Sequence, residues 1–190
     1  MTSPLDVVDW PVRTERLVLR RFVASDVPAI VAYRSIPAVS EWIGSAGTDV
    51  DAIATRFGDG ATAVVVEHGG RLVGDLMVTV QDAWGQHEVA EQAAATQAEL
   101  GWTFDPAHQG RGLASEAVRT LVRICFEDLG LRRVVAECFT ANEPSWRLME
   151  RVGMRREAHH VQDSLHRDHG WQDEYVYALL ADEWQTRSAR

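Results

Sequence analysis

Residues 98–125 read AELGWTFDPAHQGRGLASEAVRTLVRIC, and the organisation of the chain is worked outward from them. Ala98, Leu100, Trp102 and Phe104 alternate with Glu99, Gly101 and Thr103. This period of two predicts a strand with one buried face, ended by Asp105-Pro106. From Leu113 onward, Ala117, Val118, Leu121, Val122, Ile124 and Cys125 recur at helical spacing, which predicts a helix ending near Gly130. Between strand and helix lies Gln109-Gly110-Arg111-Gly112-Leu113-Ala114-Ser115. A helix start exposes unpaired N–H groups and the positive end of the dipole. Glycines at 110 and 112 carry no side chain and tolerate positive φ, so the backbone can wrap an anion such as a phosphate. Arg111 adds charge outside the loop.

On the N-terminal side, residues 1–12 are expected to be a loose leader and Leu17–Phe22 a strand. Ser25-Asp26 followed by Val27-Pro28 predicts a helix to about Ser35, with proline in its first turn. A turn-rich stretch from Pro37 to Gly47 precedes a short helix over Val50–Phe57. Residues 61–67 and 72–80 are β-rich, and His68-Gly69-Gly70 between them predicts a hairpin. Residues 81–96 fit either a hairpin tip or a short helix. On the C-terminal side, Arg133–Phe139 reads as a strand. Asn142 then caps a helix carrying Pro144, Trp146, Leu148, Met149 and Val152, which Gly153 stops. Two strands follow, near 154–160 and 174–180, and residues 186–190 are expected to be flexible. The order β-α-α-β-β-β-α-β-α-β-β predicts one α/β (α+β) domain over 13–185, with a mixed sheet and helices on both faces.

The composition excludes several functions. The 190-residue chain is 46% hydrophobic and 25% charged, with a formal net charge of −9, which argues against nucleic acid as a partner. The acidity is compatible with attracting cationic amines and equally with plain solubility. All 19 basic residues are arginine. A Walker phosphate loop and Schiff-base chemistry on a lysine are therefore excluded. Cys125 and Cys138 lie in apolar runs and read as buried free thiols. No ligand spacing for zinc appears, and the stretch holding His159-His160, His166 and His169 reads as a charged loop, so no metal is expected. The first residues lack the basic and apolar regions of a signal peptide, and no apolar run is long enough for a membrane span. The expected location is the cytoplasm, with no membrane partner.

Three readings of the glycine segment compete. It can be a plain turn into a helix. It can belong to a dinucleotide fold, since Gly110-x-Gly112-x-x-Ser115 is one residue short of G-x-G-x-x-G and Glu137 lies where a ribose-binding acid is expected. That reading fails on context, because six residues separate strand from loop and too little chain follows. The third reading is coenzyme A binding. Gln109-x-x-Gly112-x-Ala114 resembles the Q/R-x-x-G-x-G/A motif of the GNAT acetyltransferase superfamily. Glu99-Leu100-Gly101-Trp102, Ser115-Glu116-Ala117 and Asn142-x-x-Ser145-x-x-Leu148-Met149-Glu150-x-x-Gly153-Met154 resemble its branch of ribosomal-protein N-terminal acetyltransferases. Thr14-Glu15-Arg16-Leu17-x-Leu19-Arg20 and Tyr177-Ala178-Leu179-Leu180-x-x-Glu183-Trp184 are similar to the same pattern.

The resemblance implies an acetyl-CoA-dependent N-acetyltransferase with splayed central strands. Gly101, Trp102, Thr103 and Phe104 would hold the pantetheine arm, and residues 109–115 the pyrophosphate. Strand 133–139 would face the thioester. Asn142 reads as helix cap or pantetheine contact, and Ser145 as cap or partner of the coenzyme sulfur. Relatives place a tyrosine seven residues after the motif asparagine; here that position is Met149. Glu99 is the candidate base, or else a group that holds a substrate ammonium. Tyr33, Glu41, Trp42, Trp84, Trp171, Asp173 and Tyr175 lie in segments that would line an acceptor site, where aromatics and acids suit a cationic amine. The acceptor is a protein N-terminus or a small amine. The family implied also includes homodimers, and a non-catalytic acyl-CoA sensor of the same fold is the alternative.

Overall fold

The apolar run Ala63-Val64-Val65-Val66 pairs on both edges and has no polar face, so it can only be an internal strand. In the computed structural model, which describes residues 3–44, 50–58 and 62–188, Val64, Val65 and Val66 are each 0% exposed. The expected turn end at Gly47, the strand start at Ala61, and residues 1–2 and 189–190 lie outside the described residues.

The elements run β1 Val12–Arg13, β2 Leu17–Arg21, α1 Val27–Arg34, α2 Pro37–Ser40, α3 Val50–Gly58, β3 Ala63–His68, β4 Arg71–Gln81, α4 Ala90–Ala93 and β5 Gln97–Phe104. They continue α5 Leu113–Arg123, β6 Arg133–Phe139, α6 Glu143–Val152, β7 Arg155–His166, β8 Gly170–Leu180 and α7 Ala181–Ser188. The strands follow the order β1-β2-β3-β4-β5-β6-β8-β7. The β5–β6 ladder is parallel and spans Gln97–Glu99 against Arg133–Val135; both strands continue beyond it.

The chain groups into two compact units, Met1–Thr79 with Gly101–Ile124, and Val80–Leu100 with Cys125–Arg190. In the first, the β3–β4 hairpin closes through Gly69 and Gly70, both at positive φ (58° and 76°), with His68 paired to Arg71. Two successive left-handed residues match the twist of paired strands, which is why the turn uses glycine twice. Val27, Ile30, Tyr33, Ile53, Phe57, Ala63 and Val65 form a core cluster in this unit. In the second unit, β6 pairs along its whole length with β8, and β7 closes on the other edge of β8. Leu148, Met149 and Val152 are the buried stripe of α6, and Gly153 ends it at φ 97°.

Several expectations change. The loose leader is instead built: Pro4–Val7 is a 3-10 turn capped by Ser3, Leu5 is 0% exposed, and Val12–Arg13 pairs with β2. Residues 186–188, expected to be flexible, belong to helix α7, which runs to Ser188. Residues 81–96 resolve as helical turns, His87–Val89 and Ala90–Ala93. Of the histidine-bearing stretch read as a loop, His159, His160 and His166 lie on β7 and only His169 lies in the turn before β8. Strict alternation on β5 fails at its end, where Thr103 and Phe104 are both buried. No helix among the described residues is long and apolar enough to cross a membrane, and no group of three or more His, Cys, Asp or Glu there is placed to hold a metal.

Candidate functional site

In the first unit the glycine loop has a defined shape. Asp105 takes the Ala107 N–H on its side chain (2.9 Å) and gives its own N–H to the Val73 carbonyl (2.9 Å), which fixes the end of β5 against β4. Pro106–His108 form a 3-10 turn, Gly110 has φ 73°, and Gly112 is the N-cap of α5 at φ 75°, ψ 4°. Gly112 offers no side chain to cap α5, so the backbone at the positive end of the helix is not covered by the capping residue. Nothing lies within 4 Å of a side chain built at Gly110, and only an Arg16 nitrogen, at 3.6 Å, near one built at Gly112.

The loop is braced from the residues before β2. Arg16 gives its Nη1 proton to the Arg111 carbonyl (2.8 Å) and pairs with Glu116 on α5 (2.6 Å). Glu116 also accepts from the Thr14 hydroxyl (2.5 Å) and the Arg16 N–H (3.0 Å). Burial pushes the Glu116 carboxyl up, but these donors and the guanidinium outweigh it and hold it below the ordinary carboxylate range. The segment Thr14-Glu15-Arg16, noticed only as part of a pattern, thus shapes the loop. Gln109, Gly110, Arg111 and Gly112 are exposed, Ala114 and Ser115 half-buried, and Leu113 buried. On β5, Gly101 and Trp102 are half-buried, while Thr103 and Phe104 are closed off.

In the second unit, register assigns the faces. Glu99 pairs with Val135, Glu137 with Val176, Phe139 with Glu174, and Glu174 with His160. Paired residues share a face and alternate residues repeat it, so Glu99, Glu137, Glu174 and His160 lie on one side. Glu137 keeps solvent access, yet its carboxyl is pushed up to about 7. Partial burial contributes most; a hydrogen bond to Glu174 and the charges of Glu174 and Glu99 add to it, and His160 opposes it. Glu99 accepts a hydrogen bond from Gln81 (3.1 Å), and Glu174 accepts one from the Ser164 hydroxyl.

The opposite side carries α6. Cys138 pairs with Tyr175, and Tyr175 meets Trp146 edge-on at 6.4 Å. Ser145 sits in the first turn of α6, with its N–H on the Asn142 carbonyl (3.1 Å), and its hydroxyl bonds the Cys138 sulfur. Burial pushes the Cys138 thiol up to about 11 against the Ser145 hydroxyl and Trp146 N–H, which favour the thiolate. Asn142 is the N-cap by position, but its side chain makes no capping hydrogen bond. The cap reading of Asn142 therefore loses its physical basis. Both cysteines are free, and Cys138 is half-buried rather than buried.

The acceptor-lining residues expected from sequence fall in both units. Tyr33 is 4% exposed in the core of the first unit, and its hydroxyl donates to Asp75 (2.5 Å), which also pairs with Arg34. That burial removes Tyr33 from any acceptor surface. Glu41 and Trp42 are half-buried just after α2 in the same unit. In the second unit, Trp84 is 90% and Trp171 58% exposed, Asp173 pairs with His159 (2.7 Å), and Tyr175 faces α6, away from the carboxylates. Glu137, Glu174, Ser164 and Arg16 are not among the site residues expected from sequence. The period of β6 was legible, but its register against β5, which aligns Glu137 with Glu99, was not.

The model of the acetyltransferase (GNAT) domain matches residues 16–155. A Bacillus subtilis (strain 168) protein named uncharacterized N-acetyltransferase YnaD is 32% identical over 179 residues, covering 91% of this chain and 98% of its own length. The [ribosomal protein uS5]-alanine N-acetyltransferase of Escherichia coli (strain K12) is 29% identical over 85 residues, 45% of this chain and 43% of its own. Among solved structures, a GNAT-family acetyltransferase from Bacillus anthracis superposes with a TM-score of 0.75 at 32% identity, covering 90% of this chain and 99% of that one. A family model over most of the chain and relatives this similar from end to end lead to one conclusion: the chain belongs to the GNAT family and is an N-acetyltransferase.

Proposed function

We propose that the chain moves the acetyl group of acetyl-CoA to a primary amine by direct attack, with Glu137 as the base. The observation that carries this reading is the Glu137 carboxyl, raised to about 7 on the same sheet face as Glu99 in a GNAT chain. Acetyl-CoA, when bound, supplies the acetyl thioester. The positive end of the α5 dipole, with Gly110, Gly112 and Arg111, suits its pyrophosphate, and Gly101–Phe104 its pantetheine arm. The first unit thus recognises the donor, and the fit rests on a loop with room where side chains would otherwise stand.

In the second unit, an alkylammonium must lose a proton before its nitrogen can attack. A carboxylate at about 7 is a base about 300-fold stronger than one at the ordinary 4.5, and it is still mainly ionised above pH 7.5. Glu137 therefore takes the proton, and Glu99 holds the cation by charge. The C–N bond forms, the C–S bond breaks, and the second nitrogen proton goes to the departing thiolate. Ser145 and Asn142 remain the groups proposed for the sulfur and the pantetheine arm. Aromatic and acidic side chains in the second unit favour a cationic acceptor, a protein N-terminus or a small amine.

Thermal shift with acetyl-CoA, free CoA and NAD tests the donor: both CoA species raise Tm and NAD does not. Thiol release on a panel of primary amines and N-terminal peptides tests the transfer. Stabilisation by NAD alone overturns the reading. Stabilisation by CoA with no amine-dependent thiol release identifies an acyl-CoA sensor instead.

A further inference from the structure

The base does not stand alone. Glu137 and Glu174 are diagonal neighbours on adjacent strands, since Glu137 opposes Val176 and Glu174 opposes Phe139. Their carboxyls are hydrogen-bonded to each other. Two carboxylates cannot form that bond; one must carry a proton, because both are acceptors when ionised. Ser164 decides which. It reaches Glu174 from β7, where it pairs with Gln172 on the same face, and its hydroxyl donates to Glu174 Oε2. The Ser164 hydroxyl fixes Glu174 as an acceptor, and of the two carboxyls it is Glu137 that burial and the Glu174 and Glu99 charges push up. The proton thus belongs on Glu137.

We infer that Glu174, anchored by Ser164, is the positioning residue of the acetyl-transfer base, sharing with Glu137 the one proton that Glu137 captures and releases in turnover. This rests on the reading of Glu137 as the base. In the transfer step, the Glu137 carboxylate takes one proton from the substrate ammonium, becomes the carboxylic acid, and donates its hydrogen bond to the Glu174 carboxylate. That donation stabilises protonated Glu137, so it raises the affinity of the base for the proton it must remove. After transfer Glu137 releases the proton to solvent, to which it has access.

The other groups around the pair act in known directions. On β5, Glu99 adds a second negative charge and strengthens proton binding, while Gln81 on β4 holds Glu99 in place by a hydrogen bond. On β7, His160 opposes it. On the far side of β6, Cys138 senses the Glu174 charge, which pushes its thiol up. Glu174 differs from Glu99 because it both bonds Glu137 and is bonded by a fixed donor.

The test uses the full chain and two readouts. The first is carbon-13 NMR titration of glutamate side-chain carboxyls in the unliganded protein. The second is the pH profile of kcat/KM for acetyl-CoA and an amine. The expected Glu137 midpoint in the native protein is about 7. Glu174→Gln lowers that midpoint by about one unit or more toward the ordinary value, and the acid limb of kcat/KM moves down with it. Ser164→Ala, a milder change, moves both in the same direction by less. An unmoved Glu137 midpoint in both variants overturns the proposal. If that happens while Glu137→Gln still abolishes turnover, the base reading stands and only the pair fails. If Glu137→Gln keeps native kcat/KM, the base reading fails and takes the proposal with it.

Discussion

Replacing Gly112 by alanine separates loop shape from loop chemistry. Gly112 caps α5 at φ 75°, ψ 4°, where an L-residue costs about 1–2 kcal/mol relative to glycine. No packing energy offsets or adds to this, because the new methyl would meet only an Arg16 nitrogen at 3.6 Å, an ordinary contact. At about 2–4 °C per kcal/mol for a chain of this size, Tm falls by roughly 2–8 °C. Coenzyme affinity falls as well. A residue that relaxes out of the left-handed region re-aims the first N–H groups of α5, and each charge-assisted hydrogen bond to phosphate is worth about 1.5–3 kcal/mol. Losing one weakens Kd for CoA on the order of tenfold to a hundredfold. Thermal denaturation and calorimetric titration with CoA read the two effects on the same sample. A variant destabilised as stated but binding CoA at native strength would refute the loop as phosphate cradle.

Other consequences follow from the two units separately. Gly74→Ala puts a methyl 2.6 Å from the Phe104 ring and 2.8 Å from the Thr103 carbonyl, so its loss of Tm exceeds that of Gly112→Ala. Asp75→Ala leaves Arg34, 7% exposed, without its carboxylate and costs about 3–5 kcal/mol in urea unfolding, while removing both charges as Arg34→Met with Asp75→Leu costs less. Glu137 binds its proton more tightly folded than unfolded, so its contribution to stability is fully present below the ordinary 4.5 and is lost as pH rises to about 7. Glu137→Gln is therefore more stable than the native chain at pH 8 and no more stable at pH 4. The Cys138 thiol, pushed up to about 11, reacts slowly with a disulfide reagent at pH 7.5, and Ser145→Ala slows it further by removing a donor to the thiolate.

The parts legible in the sequence were those written in local periodicity. The helical spacing from Leu113, the apolar run at 63–66 and the glycine pairs at 69–70 and 110–112 each fix a conformation within a few residues. The site was legible only where it is local too, in the loop entering α5. The carboxylates were not, because Glu99, Glu137 and Glu174 lie on three strands and meet through register, which a single period cannot set. Tyr33 was misplaced for a related reason. An aromatic hydroxyl beside a predicted helix suits a pocket or a core equally, and Asp75, which takes that hydroxyl, is 42 residues away. Ser145 was found by position, yet its partner in this structure is the sulfur of Cys138.

Glu137 and the transfer reaction meet in one experiment, the rate of amine-dependent thiol release from acetyl-CoA between pH 5.5 and 9, in the native chain and in Glu137→Gln. The account predicts turnover with an acid limb near 7 in the native chain, and loss of about two orders of magnitude or more with disappearance of that limb in the variant. Equal rates and superimposable pH profiles for the two proteins would contradict it.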